Sequence, residues 1–290
     1  MTTPLKTSQC LSLTALAMLA FAGNSLLCRA ALDTTSIDAA TFTLVRLLAG
    51  ALMLEAILRL GRKARPAGAG DWRSALALFA YAAGFSWAYI GLATATGALL
   101  LFGAVQLSMV GWAIWRGERL RAWQWGGFAL AVAGLVIMLL PGIEAPSWQD
   151  ASLMLLAGVA WAVYSVRGRS QPAPLVATTR NFWRAGLLAA LMCLPFVSRL
   201  TLDTTGLVYA VLAGALASGV GYTIWYGVMQ QLSTASAASV QLSVPVISAL
   251  GAVGLLDEAL TARLLLSSLA ILGGVALVIL AGRHSIPVIR

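Results

Sequence analysis

The sequence predicts an all-α membrane protein of ten transmembrane helices, built as two five-helix repeats of inverted topology. Composition, an internal copy and a charge asymmetry carry that expectation. Of the 290 residues 60% are hydrophobic and only 10% charged, whereas soluble domains carry about 25% charged residues. Too little polar surface remains to solvate a globule, so the lipid bilayer is the expected surrounding. The net charge of +9 would suggest nucleic acid in a soluble chain. Here Lys and Arg gather in loops of one parity, and no nucleic-acid partner is expected.

A bilayer core needs about 20 apolar residues per helix at 1.5 Å rise. Apolar runs between short polar breaks place helices at 8–30, 37–60, 74–93, 96–116 and 122–140, then at 150–168, 174–197, 205–229, 234–256 and 262–282. The first run has Lys6 before an apolar core, as a signal peptide would. It is read as a helix because it has an internal copy. Leu11–Arg29 and Ala151–Arg169 align at an offset of 151 − 11 = 140, matching Ser12 with Ser152, Phe21 with Trp161 and Ser25 with Ser165. The same offset pairs Thr94-Ala95 with Thr234-Ala235, Ser108 with Ser248, Glu118 with Glu258 and Gly134 with Gly274. A repeated unit at constant offset marks an architectural repeat. In the second helix Arg46 and Arg184 align only at 184 − 46 = 138.

Lys and Arg near short loops are retained in the cytoplasm. Arg59, Arg62, Lys63, Arg65 and Arg73 flank the 2–3 loop, Arg116, Arg119 and Arg121 the 4–5 loop, and Arg167 and Arg169 the 6–7 loop. Lys6, Arg283 and Arg290 fall on that side, while Asp33, Asp38, Glu144, Asp150, Asp203, Asp257 and Glu258 fall opposite, with Arg199 and Arg263. Both termini are expected in the cytoplasm, and five helices per half force the halves into opposite orientations. Inverted repeats build alternating-access carriers whose site lies near the midplane.

Each half ends in an acidic turn before its fifth helix, Gly117-Glu118-Arg119-Leu120 and Asp257-Glu258-Ala259-Leu260. With the ten helices and the single offset, these turns make residues 8–140 and 150–282 resemble the paired EamA domains of the drug/metabolite transporter superfamily. The resemblance implies an inner-membrane exporter of amino acids or related small molecules, and among such relatives it is nearest the aromatic amino acid exporters. A broad-specificity drug or nucleotide-sugar carrier is the other reading.

Polar and aromatic side chains inside a membrane need a partner or a hydrated cavity. Tyr81, Phe85 and Tyr89 share a face of helix 3, Trp161 and Tyr164 one of helix 6, and Tyr222, Trp225 and Tyr226 one of helix 8. With Phe21 they form the expected cavity wall, against ordinary helix packing. Asn24, Gln106 and Gln241 read either as interhelical hydrogen bonders or as substrate contacts. Arg46 and Arg184 read as helix braces or as anchors for a substrate carboxylate. Pro245 is a kink and a candidate hinge. Leu135 and Val275 are taken as lipid-facing, and Trp72, Trp112, Trp115, Trp123 and Trp148 as interfacial.

Cys10, Cys28 and Cys193 form no CxxC pair, and the single histidine is His284 in the tail. No metal, cofactor or catalytic dyad is therefore expected, and no enzyme. Only Glu55 among the acidic residues lies within a helix, near its cytoplasmic end. Proton-coupled carriers place a titratable group in the pathway, so transport without a proton requirement is expected.

Overall fold

The fold is given by a computed structural model, which describes residues 7–61, 69–117, 120–142, 145–169, 171–229, 231–232 and 240–283. Lys6, Arg62, Lys63, Arg65, Glu118, Arg119, Glu144, Thr234, Ala235, His284 and Arg290 lie outside the described residues.

The described residues form ten long helices, a short 3₁₀ segment and no strand. They are α1 (Thr7–Thr34), α2 (Ala39–Leu60), α3 (Trp72–Gly91), α4 (Thr94–Trp115), α5 (Ala122–Leu139), α6 (Trp148–Arg169), α7 (Pro174–Cys193), α8 (Thr204–Met229), α9 (Ser243–Leu256) and α10 (Ala262–Arg283). Eight are long and apolar enough to cross a membrane, namely all but α7 and α9. Arg180, Asn181 and Arg184 lower the hydropathy of α7, and α9 has only 14 residues. The expectation of ten transmembrane helices is thus supported for eight of them.

Local chemistry sets several ends. Asp38, Asp71 and Asp203 cap α2, α3 and α8, each accepting from the backbone N–H three residues on, at 2.9, 3.0 and 2.7 Å. Such caps satisfy donors that the first helical turn leaves unpaired. At Pro195 the missing N–H stops α7, and Leu194–Arg199 tightens into a 3₁₀ turn. The middle of α8, Ala213–Val220, is π-helical. There Gly214 lies so close to α2 that a Cβ would stand 2.1 Å from the Arg46 carbonyl oxygen.

In lipid, helices associate through close packing and small residues. α5 and α10 meet that way, since a Cβ on Gly274 would stand 2.5 Å from the Gly127 carbonyl oxygen. Val275 is 3% exposed, and Leu135 packs against the buried core. Neither faces lipid, contrary to the sequence reading. The five tryptophans near helix ends are exposed, as expected. Elsewhere α6 packs on α3 and α4, α1 on α8 and α9, α2 on α7 and α8, and α3 on α7. The bundle therefore has a basic end, with the α2–α3, α4–α5 and α6–α7 connections, and an acidic end opposite.

Candidate functional site

Rings from α1, α3, α6 and α8 converge at the centre of the bundle. Phe21 on α1 meets Tyr222 and Trp225 of α8 edge-on, with centroids 5.8 and 5.9 Å apart. Trp161 on α6 stacks on Tyr222 at 5.3 Å and leans on Tyr81 of α3 at 4.8 Å. Phe85 and Tyr89 extend the chain of rings along α3, and Tyr164 extends it along α6. These separations suit edge and offset stacking. Between Phe21, Asn24, Tyr81, Phe85, Trp161 and Tyr222 lies a cavity of about 20 Å³, room for roughly one water. A second, of about 40 Å³, lies toward the basic end beside Tyr164, Trp225, Tyr226 and Gln241. Larger recesses of about 310 and 240 Å³ open beside Asp38 and Glu258, away from the rings. The rings leave little free volume between them.

Arg46 stands behind the central cavity, 2% exposed. Its guanidinium lies 5.0, 5.7 and 5.8 Å from the Phe85, Tyr81 and Phe42 ring centres, within cation–π range. It donates to the Ala82 carbonyl at 3.0 Å and, at 3.5 Å, to the Asn24 amide oxygen. Asn24 in turn donates to the Tyr81 hydroxyl at 3.1 Å. No carboxylate among the described residues pairs with Arg46. A second polar chain runs from the Tyr164 hydroxyl to Thr178 and from Thr178 to Tyr226, each step 3.2 Å.

At the acidic end the ends of α1, α4 and α9 meet. α9 stops where Asp257 adopts a left-handed conformation, φ 53°, which Asp tolerates better than most residues. The turn aims Glu258 at the start of α4, whose own cap residue, Ala93, offers no side-chain acceptor. The Glu258 carboxylate accepts from the Thr94 N–H at 2.8 and 3.0 Å and from its hydroxyl at 2.9 Å. Arg29 of α1 lies 3.5 Å from the same carboxylate, pairs with Asp33 at 2.9 Å, and donates to the Tyr89 and Ile90 carbonyls. Three helix ends are thus tied together through one carboxylate. At the basic end Arg167 reaches Asp71 at 2.9 Å and the Ser74 hydroxyl at 3.0 Å. Burial pushes the Asp71 carboxyl up, but bonds from the Ser74 backbone and hydroxyl, with the Arg167 charge and bond, outweigh it and hold it below the usual range.

Most predicted site residues therefore meet. Phe21, Asn24, Arg46, Tyr81, Phe85, Trp161, Tyr164, Tyr222, Trp225, Tyr226 and Gln241 surround the two central cavities or back them. Tyr89 lies toward the acidic end, bonding the Thr94 carbonyl at 3.2 Å. Gln106 is buried on α4 without lining either central cavity. Arg184 is not brought to the rings and lies 5.7 Å over Trp72 at the basic end. Pro245 is buried in the first turn of α9, where its missing N–H leaves no intrahelical bond unmade, so the expected mid-helix kink is not found there. Sequence reasoning missed Phe182, 5.7 Å from Tyr222, along with Ser25, Ser218 and the Glu258 latch. The constant offset held the signal for Phe182, since 182 − 42 = 140 pairs it with Phe42.

Residues 150–280 match the EamA-like transporter family. An uncharacterized protein of Pseudomonas aeruginosa is 54% identical over 269 residues, 93% of this chain and 94% of that protein. The second half of the chain thus carries the EamA-like transporter domain. A crystal structure of a protein 19% identical covers 96% of this chain and 99% of its own, with a TM-score of 0.68, so the fold is shared over nearly the full length. With eight helices long and apolar enough to cross a membrane, the chain is a multi-pass membrane protein, and its EamA-like domain is of transporter type, with a small-molecule substrate implied.

Proposed function

We propose that the chain exports amino acids, aromatic or large neutral ones among them, across the inner membrane by alternating access. In this reading residues 8–140 and 150–282 are the two inverted repeats, all ten helices span, and both termini are cytoplasmic. The ring cluster carries the proposal. Phe21, Tyr81 and Phe85 come from the first half, Trp161, Phe182 and Tyr222 from the second, and the rings interleave where the halves meet. The helix packing supports the repeat as well. Under the 140-residue exchange, α3 on α6 becomes α8 on α1, α4 on α6 becomes α9 on α1, and α2 on α8 becomes α7 on α3. The pairs α2–α7 and α5–α10 map onto themselves. A pseudo-twofold relation of this kind gives two equivalent gates around one site.

The closely packed centre fits one stage of such a cycle, and helix rocking about a flexible point such as Pro245 would widen it. An aromatic wall discriminates weakly, because one methylene in an apolar pocket is worth about 1–3 kcal/mol, so several neutral amino acids should share the site. The test is counterflow of labelled amino acids in proteoliposomes. Phenylalanine, tryptophan or leucine should exchange, and Trp161→Ala or Tyr222→Ala should lower exchange about tenfold or more with membrane insertion intact. Leu269→Ala, on an outward position 73% exposed, is the control. Absence of exchange for every amino acid tried would reject the substrate assignment.

A further inference from the structure

Among the described residues no carboxylate pairs with Arg46. Of the ten acidic residues, Glu118 and Glu144 lie outside the described residues. Glu55 is nine positions farther along α2, about 13.5 Å at 1.5 Å per residue, where Arg59 pairs with it at 2.9 Å. The other seven stand at helix ends or in loops. A buried intramembrane cation usually pairs or marks a pathway, and this one is surrounded by π faces and neutral acceptors. The acceptor on its cavity side, the Asn24 amide oxygen, is 3.5 Å away, long for a hydrogen bond. Asn24, Tyr81 and Phe85 both touch Arg46 and line the central cavity.

We infer that Arg46 receives the carboxylate of the transported molecule, displacing the Asn24 oxygen, and that the site prefers aromatic monocarboxylates of net charge −1 to zwitterions. The inference rests on reading the ring cluster as the transport site. A carboxylate gives the guanidinium shorter, charge-assisted and bidentate bonds. The ring of the substrate lies among Phe21, Trp161 and Tyr222. An ammonium group gains nothing comparable, since no carboxylate among the described residues is near and the guanidinium repels it. Substrate and Arg46 together are then neutral, which suits passage through a low-dielectric core.

The test is titration calorimetry of the full chain in nanodiscs with 3-phenylpropionate, phenylalanine and phenethylamine. These share a phenyl ring and carry net charges of −1, 0 and +1. The acid should bind at least tenfold more tightly than phenylalanine, and the amine should not bind measurably. Arg46→Gln should weaken the acid at least tenfold, and Arg46→Lys should restore part of that loss. Thermal melts report whether each variant folds, and if Arg46→Gln does not, the wild-type ranking decides alone. Equal binding of acid and amine, no binding of the acid, or a folded Arg46→Gln variant that binds it unchanged would overturn the inference. Counterflow of phenylalanine with no preference for the acid would overturn it while leaving amino acid export standing. Tight binding of the acid with no amino acid exchange would do the reverse.

Discussion

Neutralising Glu258 should unlock the acidic end. Its carboxylate takes three hydrogen bonds from Thr94 and faces Arg29 at 3.5 Å, with both charged side chains about 15% exposed. It also supplies the negative charge that the positive end of the α4 dipole favours. Glu258→Gln keeps one acceptor oxygen and loses the charge. Hydrogen bonds to a charged group contribute about 1.5–3 kcal/mol each, and with the amide retaining part of the geometry the net loss should be about one such bond. At 1.4 kcal/mol per tenfold, that is roughly a 10- to 100-fold shift toward opening at this end. The assay places a reporter at Ser25→Cys, which lines the central cavity, in a background with Cys10, Cys28 and Cys193 replaced. An impermeant maleimide is applied from the acidic side. Glu258→Gln should raise the labelling rate at least tenfold, and Thr94→Val, which removes one of the three bonds, should raise it less. A rate within twofold of the parent for Glu258→Gln, with the protein folded, would refute the latch.

Three further outcomes follow from the same geometry. In intact cells a cysteine at Trp148, 69% exposed at the acidic end, should react with an impermeant reagent, and one at Leu60, 85% exposed at the basic end, should not; the reverse pattern would invert the proposed topology. Counterflow in proteoliposomes should persist when the pH gradient is collapsed at zero membrane potential, and strict dependence on that gradient would make Glu55 the first residue to neutralise. Asp71, held below the usual carboxylate range by Ser74 and Arg167 despite the opposing effect of burial, contributes stability that is fully present above its unfolded value near 4 and is lost as pH falls through the lower folded value. The melting temperature of Asp71→Asn should therefore lie below that of the parent at pH 7, and the gap should close at pH values below about 4; a gap independent of pH would refute the assignment.

The helices were legible because long apolar runs and charged breaks leave few alternatives, and the aromatic faces because rings at i, i+3 and i+4 must share a side of a helix. The hydrogen-bonding irregularities were less so. The π-helical middle of α8 rests on how Gly214 and Gly219 press against Arg46 and Met53 of α2, a contact between segments some 170 positions apart by number (214 − 46 = 168). Propensity within Ala213–Val220 carries no trace of that partner. Glu258 was read as part of a turn motif, because capping another helix in trans depends on where the turn lands. The pairing of Thr94 with Glu258 joins one half to the other, whereas the repeat pattern compares each residue only with its copy.

Arg184 shows how a small slip in register moves a side chain out of a site. Aligning Arg46 with Arg184 requires an offset of 138, while the flanking helices keep 140. Two residues on a helix of 3.6 per turn amount to about 200°, enough to carry a side chain to the opposite face. With the offset held at 140, Phe42 pairs with Phe182 and Arg46 with Gly186. Both phenylalanines are buried at the centre, Phe42 against the Arg46 guanidinium and Phe182 against Tyr222. Gly186 has no side chain to offer, and a Cβ there would stand 2.8 Å from Leu48. At this offset the sequence repeats the aromatic position and not the cation. A second central arginine would place two like charges in one low-dielectric site, where each disfavours the other. On the proposal that Arg46 receives a carboxylate, this asymmetry leaves a single positive charge for one anionic group, so the charge of the ligand should matter more to binding than the size of its ring.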